Sequence, residues 1–150
     1  MGMGMTMPTD MVTDTSLRVE PRTENSRDSR ARFMQRIMLK SKIHRATLTG
    51  RALDYEGSIA LGRRLMDAAD LLPGEQVHVL NANTGSRLIT YVIEEAAGSG
   101  AVMLNGPAAR LGETGDPVII LAYGQYSEAQ ARRLKPKIVR VNAKNQPMKI

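Results

Sequence analysis

Val77-His78-Val79-Leu80-Asn81-Ala82-Asn83-Thr84-Gly85-Ser86-Arg87-Leu88-Ile89-Thr90-Tyr91-Val92-Ile93 holds two runs rich in β-branched residues on either side of a turn signal. Valine, isoleucine and threonine are stiff at χ1 and pack well on a pleated surface, so residues 77–80 and 87–93 are read as strands. Asn83-Thr84-Gly85 between them supplies residues that tolerate tight and left-handed backbone, and the unit is expected to be a β-hairpin.

Working outward, residues 42–49 alternate, with His44, Ala46 and Leu48 on one face and Ile43, Arg45 and Thr47 on the other. Leu65, Ala68, Ala69 and Leu72 fall at helical spacing, and Pro73-Gly74 stops the run, which predicts a helix over 62–72. Residues 101–104, 118–123 and 137–141 read as further strands. Ser127-Glu128-Ala129-Gln130 has the spacing of a capping box and opens a short helix. Many short strands with two or three small helices predict a mainly β fold, a compact barrel. Periodicity does not say which barrel.

A chain of 150 residues is expected to be one domain with a real core. That core must be aliphatic, because only 3% of residues are aromatic and there is no tryptophan. The chain has no cysteine, which excludes disulfides, thiolate nucleophiles and cysteine-based zinc sites. Two isolated histidines, His44 and His78, do not suggest a metal site. The net charge of +6 is read as a soluble basic surface. No nucleic-acid partner is expected, since no RNA-binding aromatic signature accompanies the charge. Nor is a membrane one, because the longest apolar run, over 118–123, is only six residues. Residues 1–33 are polar and low in complexity, and are expected to be a disordered extension ahead of a domain over 34–150. They lack the roughly 7–15-residue apolar core of a secretory leader, so a cytoplasmic protein is expected.

Among the polar residues, Gly57-Ser58 carries the sharpest chemistry. A serine hydroxyl can attack the carbonyl before it and convert the peptide bond into an ester. Elimination then leaves dehydroalanine, and hydrolysis leaves a pyruvoyl group on the new N-terminus. Glycine at the preceding position offers an unhindered carbonyl and a wide choice of φ/ψ. The dipeptide alone is weak evidence: about one Gly-Ser is expected by chance, and this chain has three, with Gly85-Ser86 and Gly98-Ser99.

The surroundings single out the first. Upstream lies Met38-Leu39-Lys40-Ser41-Lys42-Ile43-His44-Arg45-Ala46-Thr47, and the dipeptide itself sits in Asp54-Tyr55-Glu56-Gly57-Ser58. Downstream lie Met66-Asp67-Ala68-Ala69-Asp70-Leu71-Leu72, Gly85-Ser86-Arg87-Leu88-Ile89-Thr90-Tyr91, Leu104-Asn105-Gly106-Pro107-Ala108-Ala109 and Gly115-Asp116-Pro117-Val118-Ile119-Ile120. From about Met34 to about Pro147 this pattern resembles the pyruvoyl-dependent aspartate 1-decarboxylase family. The resemblance implies a double-psi β-barrel, assembled as a homotetramer with active sites between neighbouring subunits. It also implies self-cleavage into residues 1–57 and 58–150, and conversion of L-aspartate to β-alanine and CO2 for pantothenate. The cofactor would be the covalent pyruvoyl group, without metal or pyridoxal phosphate. One methylene separates aspartate from glutamate and is worth only about 1–3 kcal/mol in a pocket, so the choice of aspartate comes from the resemblance.

The resemblance also distributes roles. Ser58 becomes the pyruvoyl group, which holds the substrate as a Schiff base. Tyr91 matches the proton donor, and a phenol ordinarily keeps its proton at neutral pH. Gly57, Thr90 and Tyr55 match positions that serve the self-cleavage, and Thr90 also contacts substrate. Arg87 and Lys42 match the cations for the substrate carboxylates; Arg87 lies an even number of residues from Tyr91, and so on its face of a strand. His44 shares a strand face with Lys42 and is read as packing. Asn105, Gly106, Pro107 and Ala108 match the loop that offers backbone groups to substrate. Pro107 departs from the commoner alanine there, and proline has no N–H to donate. An unprocessed scaffold barrel would have no physical reason to hold Tyr55, Gly57, Ser58, Arg87, Thr90, Tyr91 and Asn105 together.

Overall fold

A computed structural model describes residues 34–149, so the expected disorder over 1–33 lies outside the described residues. The chain runs β1 (Gln35–Thr47), β2 (Gly50–Ala52), β3 (Ser58–Gly62), helix α1 (Arg63–Ala69), β4 (Gln76–Asn81), β5 (Arg87–Glu95) and β6 (Val102–Asn105). A 3-10 turn (Gly106–Leu111), β7 (Pro117–Ser127), helix α2 (Glu128–Arg133) and β8 (Lys137–Arg140) follow. The eight strands hydrogen-bond in the order β2-β6-β3-β5-β4-β7-β1-β8. The fold is mainly β with short helices, compatible with a double-psi β-barrel.

The hairpin forms as read: β4 and β5 pair antiparallel from Gln76↔Tyr91 to Leu80↔Arg87. Its turn is held by Asn81, whose Oδ1 accepts the backbone N–H groups of Asn83 (2.9 Å) and Thr84 (3.2 Å). Gly85 takes the left-handed conformation at φ +74°. The same Asn81 donates Nδ2 to Asp116 at 2.7 Å, tying the hairpin turn to the start of β7.

The core is aliphatic. Ile43, Leu48, Ile59, Leu61, Leu65, Met66, Val77, Val79, Val92, Val102, Leu104 and Ile120 are all essentially inaccessible to solvent. Burying a side chain of this kind contributes about 1.5–3 kcal/mol, so the aliphatic positions alone provide the driving force. Among the described residues no helix is long and apolar enough to cross a membrane.

Three expectations need correction. Residues 42–49 do not alternate throughout, because the β1–β7 register shifts between Ile43 and Ala46. Arg45 adopts φ +57° there and takes up the extra residue of a bulge. Ile43, Ala46 and Leu48 therefore all turn inward, and the predicted split of faces holds only up to the bulge. The helix predicted over 62–72 stops at Ala69, with Asp70 in the left-handed region, and Leu72 is exposed. The last strand ends at Arg140 rather than 141. The capping box is present in full: Ser127 Oγ accepts from Gln130 N–H, and Gln130 Oε1 accepts from Ser127 N–H.

Candidate active site

The short segment 53–57 joins β2 to β3, and Ser58 is the first residue of β3. Antiparallel pairing of β3 with β6 sets Ser58 opposite Asn105, the last residue of β6. Both are buried. Asn105 Nδ2 donates to Ser58 Oγ at 3.1 Å, and Ser58 Oγ in turn points back to the Glu56 carbonyl at 3.3 Å. The hydroxyl is thus dry and aimed back along the chain that precedes it. In such a setting its hydrogen bonds are not diluted by water.

Gly106, next to Asn105, lies directly beneath the segment. Its φ is +62°, and a Cβ there would fall 2.5 Å from the Tyr55 carbonyl oxygen and 2.9 Å from Gly57 Cα and N. Only glycine fits that close approach. Gly57 in turn has Pro107 for a neighbour: a Cβ on Gly57 would meet Pro107 Cδ at 3.5 Å.

The parallel pairing of β3 with β5, which begins at Ile59↔Val92, brings Thr90 and Tyr91 to the same corner. Gly57, Thr90, Tyr91, Pro107 and Ala108 line a cleft of about 410 Å³, with Leu88, Ile89 and Leu111 as its apolar wall. Tyr91 is 38% exposed, which leaves its phenol free to meet a ligand. Arg87 shares the outward face of β5 with Ile89 and Tyr91, and its Nη1 lies 3.3 Å from His78 Nδ1.

The remaining site candidates stand apart. Tyr55 is exposed at 57%, and only its backbone enters the corner, over Gly106. Lys42 lies on β1, with β5, β4 and β7 between it and β3 in the sheet order. It is the register partner of Leu121 and Ile138, and so faces outward near β8. Its neighbour His44 faces Arg140 across the β1–β8 pair. Burial, and then the charges of Lys42, Arg140 and Arg45, hold the His44 imidazole below its ordinary pKa. Within one chain, then, Ser58, Gly57, Thr90, Tyr91, Asn105, Gly106, Pro107 and Ala108 come together, and neither Lys42 nor Arg87 is among the residues that line the cleft.

The sequence profile of the aspartate decarboxylase family matches residues 34–148. This chain belongs to that family. Aspartate 1-decarboxylase 2 of Gloeobacter violaceus is 55% identical over 112 residues, which are 75% of this chain and 90% of the relative. Aspartate 1-decarboxylase of Dehalococcoides mccartyi (strain CBDB1) is 56% identical over 113 residues, 75% of this chain and 91% of the relative. That of Thermoanaerobacter pseudethanolicus is 49% identical over 115 residues, 77% and 98%.

In this aspartate decarboxylase family member the reading of the sequence missed the apolar wall of Leu88, Ile89 and Leu111 and the Glu56 carbonyl. Leu88 alternates with Thr90 along β5, a period-2 signal that was available. The Glu56 contact is a backbone acceptor and left no trace in side-chain identity. Among the described residues no group of three or more His, Cys, Asp or Glu is placed to hold a metal ion.

Proposed function

We infer that this chain cuts itself between Gly57 and Ser58, and that the resulting protein decarboxylates L-aspartate to β-alanine and CO2, supplying pantothenate synthesis in the cytoplasm. The observation that carries this reading is the buried Ser58 hydroxyl, held by Asn105 and directed toward the chain just before it.

Self-cleavage needs only the chain and water. Ser58 Oγ bonds to the Gly57 carbonyl carbon as the Gly57–Ser58 C–N bond breaks, and the hydroxyl proton passes to the freed nitrogen. Loss of the Ser58 Cα proton then expels the Gly57 carboxylate, leaving dehydroalanine. Water releases ammonia from it and leaves a pyruvoyl terminus on residues 58–150. Asn105 orients the attacking oxygen, and Gly106 removes the bulk that would push the segment away. Thr90, at the same corner, offers a hydroxyl to the oxygen that becomes negative as the carbonyl is attacked.

The residues present fit a pyruvoyl group at position 58, whose neighbour Gly57 lines the 410 Å³ cleft together with Thr90. Once formed, that group supplies a ketone that takes up the substrate amine and accepts the electron pair left by the departing carboxylate. Around it the chain's own residues bind and protonate. Arg87, four residues along β5 from Tyr91 and beside His78, offers a planar fork suited to one carboxylate. Tyr91, on the same strand face, returns a proton to Cα. Leu88, Ile89 and Leu111 give the cleft an apolar lining for the substrate's carbon chain.

Lys42 contributes from a neighbouring copy in a homotetramer. The outward face of β5, β4 and β7 supports such an assembly: Ile89 is 61% exposed at mid-strand on the face it shares with Tyr91, and Tyr123 is exposed on β7 beyond His78. Apolar groups gathered at the centre of a sheet face mark contact surfaces.

The test is direct. Purified protein given L-aspartate should release β-alanine, and the Ser58→Ala chain should release none. An uncleaved Ser58→Ala chain with full activity would end this reading.

A further inference from the structure

We propose that Pro107 is a positioning residue for the cut at Gly57–Ser58, seating Gly57 from below so that the Ser58 hydroxyl meets its carbonyl; this rests on the self-cleavage reading above. Gly57 lies close to two consecutive residues. Gly106 approaches so closely that a Cβ on it would stand 2.9 Å from Gly57 Cα and N. Among the described residues, and leaving aside its chain neighbours, Pro107 Cδ is the only heavy atom within 4 Å of the place a Gly57 Cβ would occupy. Two of the residues beside the scissile position are therefore one left-handed glycine, at φ +62°, and one proline.

A left-handed glycine is mobile by itself, because glycine populates many backbone wells. The proline that follows limits it. Its ring fixes its own φ near −65° and restricts the backbone of the residue before it. Pro107 also opens the 3-10 turn Gly106–Leu111, where its missing N–H is no loss. Core packing gives no reason for a proline here, since Pro107 is exposed. What the ring does is leave the Gly106–Pro107 corner fewer conformations, among them the one that lies beside Gly57. A proline at a compatible position acts by removing alternatives, and here the alternatives removed are those in which Gly57 drifts from Ser58 Oγ.

Three chains test this by the rate of self-cleavage, followed as the loss of full-length protein after rapid purification: unsubstituted, Pro107→Ala and Pro107→Gly. Pro107→Ala should be cut roughly two- to fivefold more slowly, and Pro107→Gly more slowly still. The same two substitutions in the uncut Ser58→Ala background should lower the thermal midpoint by no more than a few degrees, the ordinary effect of returning freedom to the unfolded chain, because an exposed ring contributes little packing. Cleavage of both variants at the unsubstituted rate, or faster, overturns the proposal. So does slowed cleavage accompanied by a midpoint lowered well beyond those few degrees in the Ser58→Ala background, which would mean general loosening of the fold. If the unsubstituted chain itself is never cut, the self-cleavage reading fails first, and that outcome is distinct from either of these.

Discussion

Asn105 and Ser58 are register partners at the end of the β3–β6 pair, and the amide of one donates to the hydroxyl of the other at 3.1 Å inside the protein. The pairing makes the nucleophile part of a sheet rather than of a loop, which is why its direction is fixed before any substrate arrives. Removing the amide by Asn105→Ala leaves a buried hydroxyl without its donor, a loss of about 1–3 kcal/mol. If that loss is felt at the cleavage step, self-cleavage should slow roughly ten- to a hundredfold. Time-resolved gel analysis of freshly made protein measures it. Cleavage at the ordinary rate would show that Asn105 does not orient the hydroxyl.

Tyr91→Phe keeps the ring in the cleft and removes only the phenolic hydroxyl. The chain should still be cut, because Tyr91 is no partner of Ser58 Oγ. Turnover of aspartate should fall roughly 10²–10⁴-fold, the usual contribution of a positioned acid. Steady-state kinetics on the fully cut variant decide the matter, and a normal kcat would remove Tyr91 as donor.

What the sequence made legible was mostly local. The Asn83-Thr84-Gly85 turn and the Ser127–Gln130 capping box are encoded within a few residues, so they could be read directly. β3 could not: all five residues of Ser58–Gly62 are buried, and a strand covered on both faces shows no alternation. The Arg45 bulge escaped for a different reason, since nothing in an arginine side chain announces a left-handed backbone. In the candidate site, Ser58, Thr90 and Tyr91 are singled out by their motif, but the motif is silent on distance. That Lys42 lies on β1, with three strands between it and β3, is a property of strand order alone.

That placement yields a complementation prediction. If Lys42 serves a neighbouring copy's site, chains carrying only Lys42→Ala and chains carrying only Ser58→Ala are each inactive or weak as pure assemblies. Co-expressed, they should regain activity, because a mixed assembly contains sites with an intact Ser58 from one chain and an intact Lys42 from the other. No gain over the Lys42→Ala protein alone would place Lys42 outside the site.

His44 gives a pH prediction. Burial, followed by the cations Lys42, Arg140 and Arg45, lowers its pKa from 6.5. On acidification the unfolded chain takes up this proton before the folded one does. Between pH 6.5 and the lowered folded value the unfolded state therefore binds more protons, and stability falls as pH falls. His44→Gln should flatten that decline. Thermal midpoints across this range, compared between Ser58→Ala and Ser58→Ala/His44→Gln proteins, read the difference. Parallel curves would mean that His44 titrates alike in both states.

The central claim is the cut at Gly57–Ser58, and the intact mass of the purified protein under denaturing conditions tests it most directly. The account predicts two species: one ending at Gly57, and one covering 58–150 that is lighter than a serine-initiated chain by one ammonia. A single full-length mass that persists after prolonged warming, in protein that makes no β-alanine from aspartate, would contradict it.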